Sequence, residues 1–205
     1  MSERTILIFG GTFDPPHRAH LELPEQARVA LNADLILYVP AGVPPHKVGQ
    51  RITDGQHRLA MLRLALADRE HARIDIRELD APADDPSFTV KTLEALRRDH
   101  PENTHLRLLI GSDQAAVFDT WREPERIERL APPAVMIRPP LTAELFIDGL
   151  AADQAERWRR RLVEVDSTDL SATAIREAIR SGGPIPKSVP ARVRDYIKQH
   201  GLYRD

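Results

Sequence analysis

The chain has 205 residues, of which 41% are hydrophobic and 29% charged, as is typical of a globular protein large enough for one domain with a buried core. A formal net charge of −2 argues against a protein dominated by nucleic-acid or membrane electrostatics, and the lack of cysteine excludes disulfides and thiolate metal sites. No apolar run approaches a membrane span, and glycines interrupt the N-terminal run too early for a signal peptide. We therefore expect a cytoplasmic protein with neither a membrane nor a nucleic-acid partner.

Short apolar runs along the chain predict the strands of one sheet. They cover residues 5–9, 35–39, 74–76, 106–111, 134–138 and about 163–165, and the third run alternates with charges as an edge strand would. Helical patterns lie between them at residues 21–30, after a potential N-cap at Asp54, around residues 90–96 and at about 153–162. Because strands alternate with helices, we expect right-handed βαβ units and an α/β fold with a parallel sheet.

The last part of the chain has a different pattern. Residues 170–205 predict two helices with capping signals and no strand between them. We therefore expect a single domain over residues 1–205, with a core over residues 1–169 and a small C-terminal helical segment. Ligands of parallel sheets bind beyond the carboxyl ends of the strands, so the loops at residues 10–20, 40–47 and 111–121 are the candidate binding segments.

The first of these loops, GGTFDPPHRAH at residues 10–20, combines two glycines with two histidines. Without side chains, Gly10 and Gly11 would let a ligand approach the backbone closely. If a helix begins near His17, the i,i+3 spacing places His17 and His20 on one face, beside the unpaired N–H groups of the helix N-terminus. Such an end binds anions, so the segment predicts a phosphate site, although it matches neither the Walker loop nor the G-x-G-x-x-G fingerprint.

Other interpretations of this loop stay open on the residues alone. Two glycines are also typical of an ordinary strand-ending turn, and two histidines can lie on a surface without a function. A zinc site could use both histidines with Asp14 or His46, but the spacing fixes no third ligand.

The same eleven residues resemble a known signature. GGTFDPPHRAH is similar to the (T/H)-x-G-H signature of the nucleotidyltransferase superfamily and, in the longer form G-G-T-F-D-P-x-H-x-G-H, to the bacterial nicotinate-nucleotide adenylyltransferases. Ala19 stands where that family has glycine. The resemblance implies a Rossmann-like parallel sheet with helices on both faces.

Four further segments resemble motifs of the same family, in the same order along the chain. PPHK at residues 44–47 is similar to P-x-x-x-P-P-H-K, SFTVKTL at residues 87–93 to S-(Y/F)-T-x-x-T-L, and GSDQAAVFDTW at residues 111–121 to G-x-D…W. LSATAIR at residues 170–176 is similar to I-S-S-T-x-I-R, with Ala172 in place of the second serine. The ending SVPARVRDYIKQHGLY also fits the family, so the resemblance covers almost the whole chain.

The resemblance implies adenylyl transfer from ATP to nicotinic acid mononucleotide, which gives nicotinic acid adenine dinucleotide and pyrophosphate in a late step of NAD biosynthesis. The catalytic residues would be His17, His20, Lys47 and Arg176. The ATP-binding residues would be Gly10, Gly11, Thr12, Phe13, His17, His20, Gly111, Asp113, Ser171, Thr173 and Arg176. The mononucleotide would contact Asp14, Lys47, Ser87, Phe88, Thr89, Trp121 and Arg122, with Trp121 stacked on the nicotinate ring. Mg²⁺ would arrive with ATP and would not need a protein metal site.

Three alternatives stay open at this point. Pantetheine-phosphate adenylyltransferase shares the first motif but is not expected to have PPHK or the G-x-D…W segment. Nicotinamide mononucleotide, the amide, could be the preferred acceptor, because the family reads the carboxylate mainly by backbone groups. A nucleotide-binding regulatory domain without catalysis would find its support in Ala19 and Ala172. A homo-oligomer is compatible with the charged helices.

Overall fold

The computed structural model describes residues 3–42, 52–82, 87–166 and 171–204. Within these ranges the chain forms one parallel sheet of six strands in the order β3-β2-β1-β4-β5-β6. The strands are β1 Arg4–Gly11, β2 Leu35–Pro40, β3 Ala72–Ile74, β4 Thr104–Gly111, β5 Pro133–Ile137 and β6 Leu162–Glu164. The helices are α1 Arg18–Ala30, α2 Gly55–Leu66, α3 Thr89–Asp99, α4 Ser112–Ala116, α5 Pro124–Leu130, α6 Ala143–Asp148, α7 Ala152–Trp158, α8 Ala172–Arg180 and α9 Ala191–Gln199, with a 3₁₀ turn at Phe118–Thr120.

The central strands are buried on both faces because helices cover both sides of the sheet. Ile6 and Ile8 of β1 point to one side and pack with residues of α3, α4, α5, α6 and α7. Leu7 points to the other side, against α1, and α2 packs beside α1 over β2 and β3. Alternate residues of a strand face opposite sides, so an uninterrupted apolar run is what a doubly covered strand requires. The predicted fold class is confirmed.

The strand order reverses between β1 and β4, which lie side by side although a long stretch of chain separates them. The connection after β1 leads through α1 to β2 on one side of the sheet, whereas α3 returns on the other side to β4. Their loops diverge to opposite faces at this point and leave a crevice beyond the carboxyl ends of both strands. Gly11 and Gly111 end these two strands.

The two C-terminal helices α8 and α9 pack against α2 rather than against the sheet. Their contact is an apolar cluster that includes Met61 of α2, Ile175 and Ile179 of α8, and Val193 and Ile197 of α9. A polar contact lies beside it, since the Tyr196 hydroxyl of α9 is 2.9 Å from Nδ1 of His57 on α2. The C-terminal segment is therefore fixed to the part of the chain that follows β2.

Most predicted elements are present, with shifted ends. Asp54 caps α2 as predicted, because its carboxylate accepts the Gln56 N–H at 2.8 Å. The prediction that a helix continues to residue 162 is wrong. Helix α7 ends at the buried Trp158, and Leu162 pairs with Val135 in the sheet. Helices α4, α5 and α6 were not predicted. No helix in the described residues is both long and apolar enough to cross a bilayer.

Candidate active site

A cavity of about 590 Å³ opens where the strand order reverses. The carboxyl ends of β1, β2, β4 and β5 form its floor, and α1, α3, α4 and α8 begin at its rim. It brings together eleven of the predicted site residues: Gly10, Gly11, Thr12, His17, His20, Ser87, Thr89, Gly111, Asp113, Trp121 and Ser171. Residues up to 161 positions apart in sequence thus line one space, at the place that the sheet topology predicts for a ligand.

The glycines at the strand ends have different physical roles. A Cβ on Gly10 would meet nothing within 4 Å, so this residue leaves open space beside the strand end. A Cβ on Gly11 would lie 2.9 Å from the ring of Phe13, and one on Gly111 would lie 2.5 Å from a carboxylate oxygen of Asp113. Gly10 therefore leaves room for a ligand, whereas Gly11 and Gly111 let the following residues fold back against the backbone.

His17 and His20 lie together at the start of α1, as their spacing predicts. His17 is the N-cap residue, and its ring stacks on that of His20 with centroids 3.8 Å apart. The main-chain N–H of His17 donates to Nδ1 of His20 at 3.3 Å. That bond needs an unprotonated Nδ1, so the proton of a neutral His20 lies on Nε2.

The environment of His17 keeps its ring uncharged at neutral pH. The residue is 4% exposed, and burial, together with the positive charge of Arg138, lowers its pKa to about 4. Its Nδ1 is buried and has no hydrogen-bond partner among the described residues. A buried ring nitrogen without a partner carries a free-energy cost.

Ala19 and Ala172, the two departures from the family motifs, both line the cavity. Ala19 has an ordinary helical position in α1, without a positive φ, and its methyl group packs beside Leu7 and Leu23. Ala172 is the first residue of α8, where Ser171 acts as N-cap and accepts the Ala174 N–H at 3.5 Å. Neither alanine strains the backbone or blocks a helix N-terminus.

The sequence is similar to that of known proteins over almost its whole length. The cytidylyltransferase-like family model matches residues 8–178. A protein of Roseiflexus sp. (strain RS-1), named "Probable nicotinate-nucleotide adenylyltransferase", is 41% identical over 210 residues, with 100% of both chains covered. A protein of the same name from Thermomicrobium roseum is 41% identical, over 96% of this chain and 90% of its own. The chain belongs to the nicotinate-nucleotide adenylyltransferase family.

This membership confirms the resemblance carried by the five motifs and makes the chain a nucleotidyltransferase. A solved structure supports the fold of the adenylyltransferase as well. Plasmodium falciparum nicotinic acid mononucleotide adenylyltransferase, complexed with NaAD, superposes with a TM-score of 0.74. The two are 19% identical, and the match covers 98% of this chain and 97% of that one.

Several predicted site residues of the adenylyltransferase lie beside the cavity and not on its lining. Phe13 is fully buried at a left-handed φ of +51°, with its ring edge-on to that of His20. Arg176 donates to the main-chain carbonyl of Asp14 at 2.9 Å and to the Thr173 hydroxyl at 3.2 Å. Phe13, Asp14, Thr173 and Arg176 support the loop between β1 and α1. None of these four residues lines the cavity.

The predicted mononucleotide residues divide between the large cavity and a smaller neighbour of about 210 Å³. Ser87, Thr89 and Trp121 line both spaces, whereas Phe88 and Arg122 line the smaller one. The Arg122 guanidinium lies 4.8 Å from the centre of the Phe88 ring. The Trp121 ring is half-buried, and its Nε1 has no hydrogen-bond partner within the described part of the chain. Trp121 therefore brings an aromatic ring to this end of the site.

Three residues that matter to the site were not predicted. Arg58 of α2 is 2% exposed and donates to the carbonyls of Thr12, Ala41 and Thr53 at 3.0, 2.8 and 2.9 Å, so it ties the loops after β1 and β2 to the start of α2. Its position in the predicted helix after Asp54 gave no signal, since arginine is usually exposed. Arg138 follows β5 and lines the cavity, as a search of every strand end would have found.

Glu78 is the third residue. It lines the cavity and accepts the Thr92 hydroxyl at 2.6 Å, and burial raises its pKa. Gly42 lies so close that a Cβ there would be 1.9 Å from the Glu78 carbonyl oxygen, so only glycine fits at this position. The sequence offered no reason to connect residues 42 and 78.

Lys47 and the PPHK segment at residues 44–47, including His46, lie outside the described residues, as does Leu170 at the start of LSATAIR. The roles predicted for Lys47 therefore stay predictions. In the ranges that the structure does describe, no group of three or more histidine, aspartate or glutamate side chains converges as a metal site would require.

Proposed function

We propose that this adenylyltransferase joins ATP to nicotinic acid mononucleotide, forming nicotinic acid adenine dinucleotide and pyrophosphate in a late step of NAD biosynthesis. One observation carries the proposal beyond family membership. A single cavity connects the His17–His20 pair to Ser87, Thr89 and Trp121, so two mononucleotide-sized ligands can meet end to end above the sheet.

The reaction requires little from the protein beyond placement and charge stabilisation. An oxygen of the mononucleotide 5′-phosphate attacks the α-phosphorus of ATP, a new P–O bond forms, and the bond from that phosphorus to the β-phosphate oxygen breaks. The attacking phosphate is already an anion at neutral pH, so no general base is needed. Catalysis then rests on in-line placement of two polyanions and on donors aimed at the developing charge.

The residues at the start of α1 supply such donors. The N–H of His20 on Nε2, fixed by the bond from His17, would donate to an α- or β-phosphate oxygen of ATP. His17 would bind beside it as a neutral donor, since its low pKa keeps it uncharged. Gly10, Gly11 and Thr12 would admit the nucleotide at the strand end, next to Gly111 and Asp113. The N-termini of α1 and α8 add partial positive charge.

A second group of residues would hold the remaining phosphates. Ser171 at the start of α8 lies on the cavity and would bind the triphosphate with Arg138. Thr173 and Arg176 would act from behind the cavity, where Arg176 donates to the Asp14 carbonyl and adds positive charge near the phosphates, and Lys47 would complete the set. Mg²⁺ would be held by the phosphate oxygens and water.

The mononucleotide would occupy the other end of the cavity. Trp121 would stack on the nicotinate ring, and Ser87 and Thr89 at the start of α3 would bind its polar groups. Phe88 and Arg122 form the wall of the adjoining smaller space and would close this end. We assign Asp14 a supporting role, because its carboxylate accepts hydrogen bonds from other parts of the protein. The cytoplasmic location and a homo-oligomeric state stay predictions.

Pyrophosphate release tests the proposal. Purified protein is given ATP and Mg²⁺ with nicotinic acid mononucleotide, its amide counterpart or phosphopantetheine in parallel reactions. Strong preference for the acid is the expected result. Preference for the amide would keep the chemistry and overturn the substrate assignment, and release only with phosphopantetheine would overturn the function. ATP binding without release from any acceptor would point to a regulatory protein.

A further inference from the structure

The loop that leads into the two histidines is hydrogen-bonded to the C-terminal segment of the chain. The hydroxyl of Tyr203 donates to Oδ1 of Asp14 at 2.6 Å, across 189 residues of sequence. The second carboxylate oxygen of Asp14 accepts the Thr53 N–H at 3.1 Å. Asp14 is only 4% exposed, so both of its oxygens depend on protein donors.

Asp14 lies three residues before His17, within the turn that sets where α1 begins. Its main-chain carbonyl is held as well, by Arg176 at 2.9 Å. The turn is therefore anchored from the start of α2, from α8 and from the C-terminal turn. Because helix α1 starts at the end of this turn, a change in the Asp14 contacts would move the rings at its N-terminus.

We propose that Tyr203 is a positioning residue for adenylyl transfer: its hydroxyl orients the Asp14 carboxylate and thereby places His17 and His20 against the α-phosphate. This inference rests on the proposed function. Tyr203 is not among the residues that line the cavity, so it would act through Asp14 and not by contact with a substrate.

The surroundings of Tyr203 keep its hydroxyl in place as a donor. Burial and the nearby Asp14 carboxylate both raise the pKa of Tyr203, so the phenol stays protonated throughout the working range of an enzyme. The residue has a left-handed φ of +66°, which a tyrosine adopts only when its surroundings impose it. Those surroundings include the apolar cluster between α2, α8 and α9, with Met61 Sδ 3.8 Å from the hydroxyl.

The same C-terminal segment contains a matched control. Tyr196 also places its hydroxyl against a polar atom outside the segment, Nδ1 of His57 at 2.9 Å, but that contact does not involve the Asp14 turn. Tyr203→Phe and Tyr196→Phe each remove one hydroxyl that joins the C-terminal segment to the remainder of the protein. Only the first removes a bond to the loop between β1 and α1.

The test compares pyrophosphate release by the two variants with both substrates saturating. Tyr203→Phe is expected to lower kcat about tenfold or more, as misplaced transition-state donors do, with small changes in KM. Tyr196→Phe is expected to keep kcat within about twofold. Asp14→Asn should lower kcat like Tyr203→Phe, and the double variant should lose little more, since the two residues act as one unit. Equal kcat values for Tyr203→Phe and Tyr196→Phe would overturn the proposal.

A second measurement does not depend on turnover. The imidazole ¹⁵N chemical shifts of His17 and His20 are compared in the free wild-type protein and in each variant. Shifts in both rings for Tyr203→Phe and Asp14→Asn, but not for Tyr196→Phe, support the inference, and unchanged rings in Asp14→Asn contradict it. Should Tyr203→Phe not fold, Asp14→Asn decides. A wild-type protein that releases no pyrophosphate would refute the proposed function, while the ¹⁵N comparison would still decide the placement of the rings.

Discussion

The rings of His17 and His20 stack with centroids 3.8 Å apart, and the main-chain N–H of the first donates to Nδ1 of the second. The two residues therefore have different roles. Burial keeps His17 neutral, whereas the bond from His17 fixes which nitrogen of His20 carries the proton. A phosphate at the start of α1 would meet one ring that is uncharged and one that is oriented, without either having to reorganise during the reaction.

Replacement of His20 by alanine tests the second of these roles. His20→Ala should lower kcat by about a hundredfold or more, the typical cost of losing one preorganised transition-state donor. Pyrophosphate release under saturating substrates measures it. His105→Ala is the control, because that histidine is exposed near the amino end of β4, whereas the cavity lies beyond the carboxyl ends of the strands. A His20→Ala rate close to that of the control would remove His20 from the mechanism.

The low pKa of His17 predicts a loss of stability in mild acid. Its pKa is about 4 in the folded protein, against 6.5 for an unperturbed histidine, so the unfolded chain binds the extra proton first. Stability from this residue is complete above about pH 6.5 and falls as the pH drops towards 4, by up to roughly 3 kcal/mol. Urea unfolding between pH 7.5 and 4.5 measures the slope. His17→Gln should flatten it, and an unchanged slope in that variant would contradict the assignment.

The two glycines at the end of β1 should respond differently to alanine. Gly10→Ala adds a methyl group in open space, so the free energy of unfolding should change by less than about 1 kcal/mol, while the KM for ATP rises. Gly11→Ala pushes against the buried Phe13 ring and should cost about 1–3 kcal/mol of stability. Urea unfolding and steady-state kinetics on both variants separate the effects. Equal destabilisation of the two would contradict the open space beside Gly10.

The chain has two tryptophans, which makes a matched comparison of binding and packing. Trp121→Ala should raise the KM for the mononucleotide about tenfold or more and leave that for ATP nearly unchanged, because a stacking face is lost at one end of the cavity. Trp158 is 1% exposed in the core, so Trp158→Ala should lower stability by about 3–5 kcal/mol without selectivity between substrates. An equal rise in both KM values for Trp121→Ala would mean that this ring is structural.

Arg58→Lys tests the connection between the site loops. Lysine keeps the charge but not the planar fork that reaches three carbonyls, so about 2–4 kcal/mol of stability should be lost as buried acceptors go unpaired. Arg63→Lys on the same helix is exposed and should change stability by less than about 0.5 kcal/mol. Urea denaturation of both compares them directly. A loss no larger than that of Arg63→Lys would show that water replaces these contacts.

The elements that the sequence predicted well are those with a strong local signal. β1, β2 and β4 were found because strands buried on both faces are continuous apolar runs, and α2 because Asp54 caps it. Helix α6 was missed: it has six residues, and its buried Phe146 and Ile147 are too few to form a periodic pattern. The end of α7 was misplaced because Leu162 serves equally well in a helix or in β6.

The residues that line the cavity were predictable where they belong to a contiguous motif, as at residues 10–20 and 87–93. The site was not predictable where a side chain serves a loop distant in sequence. The resemblance implies that Asp14 contacts the mononucleotide, whereas its carboxylate accepts hydrogen bonds from the distant residues Thr53 and Tyr203. Arg58 is similar, since its acceptors are backbone carbonyls, which leave no trace in the side-chain pattern.

The bond between Asp14 and Tyr203 also sets an order of events when the protein is synthesised. The ribosome makes Asp14 early and adds the tyrosine 189 residues later, a delay of roughly 10 to 40 s at common elongation rates. Throughout that time, one carboxylate oxygen of Asp14 lacks its hydrogen-bond donor. A nascent chain can pair β1 with β2 as they emerge, but it gains a finished active centre only after translation has passed the last helix.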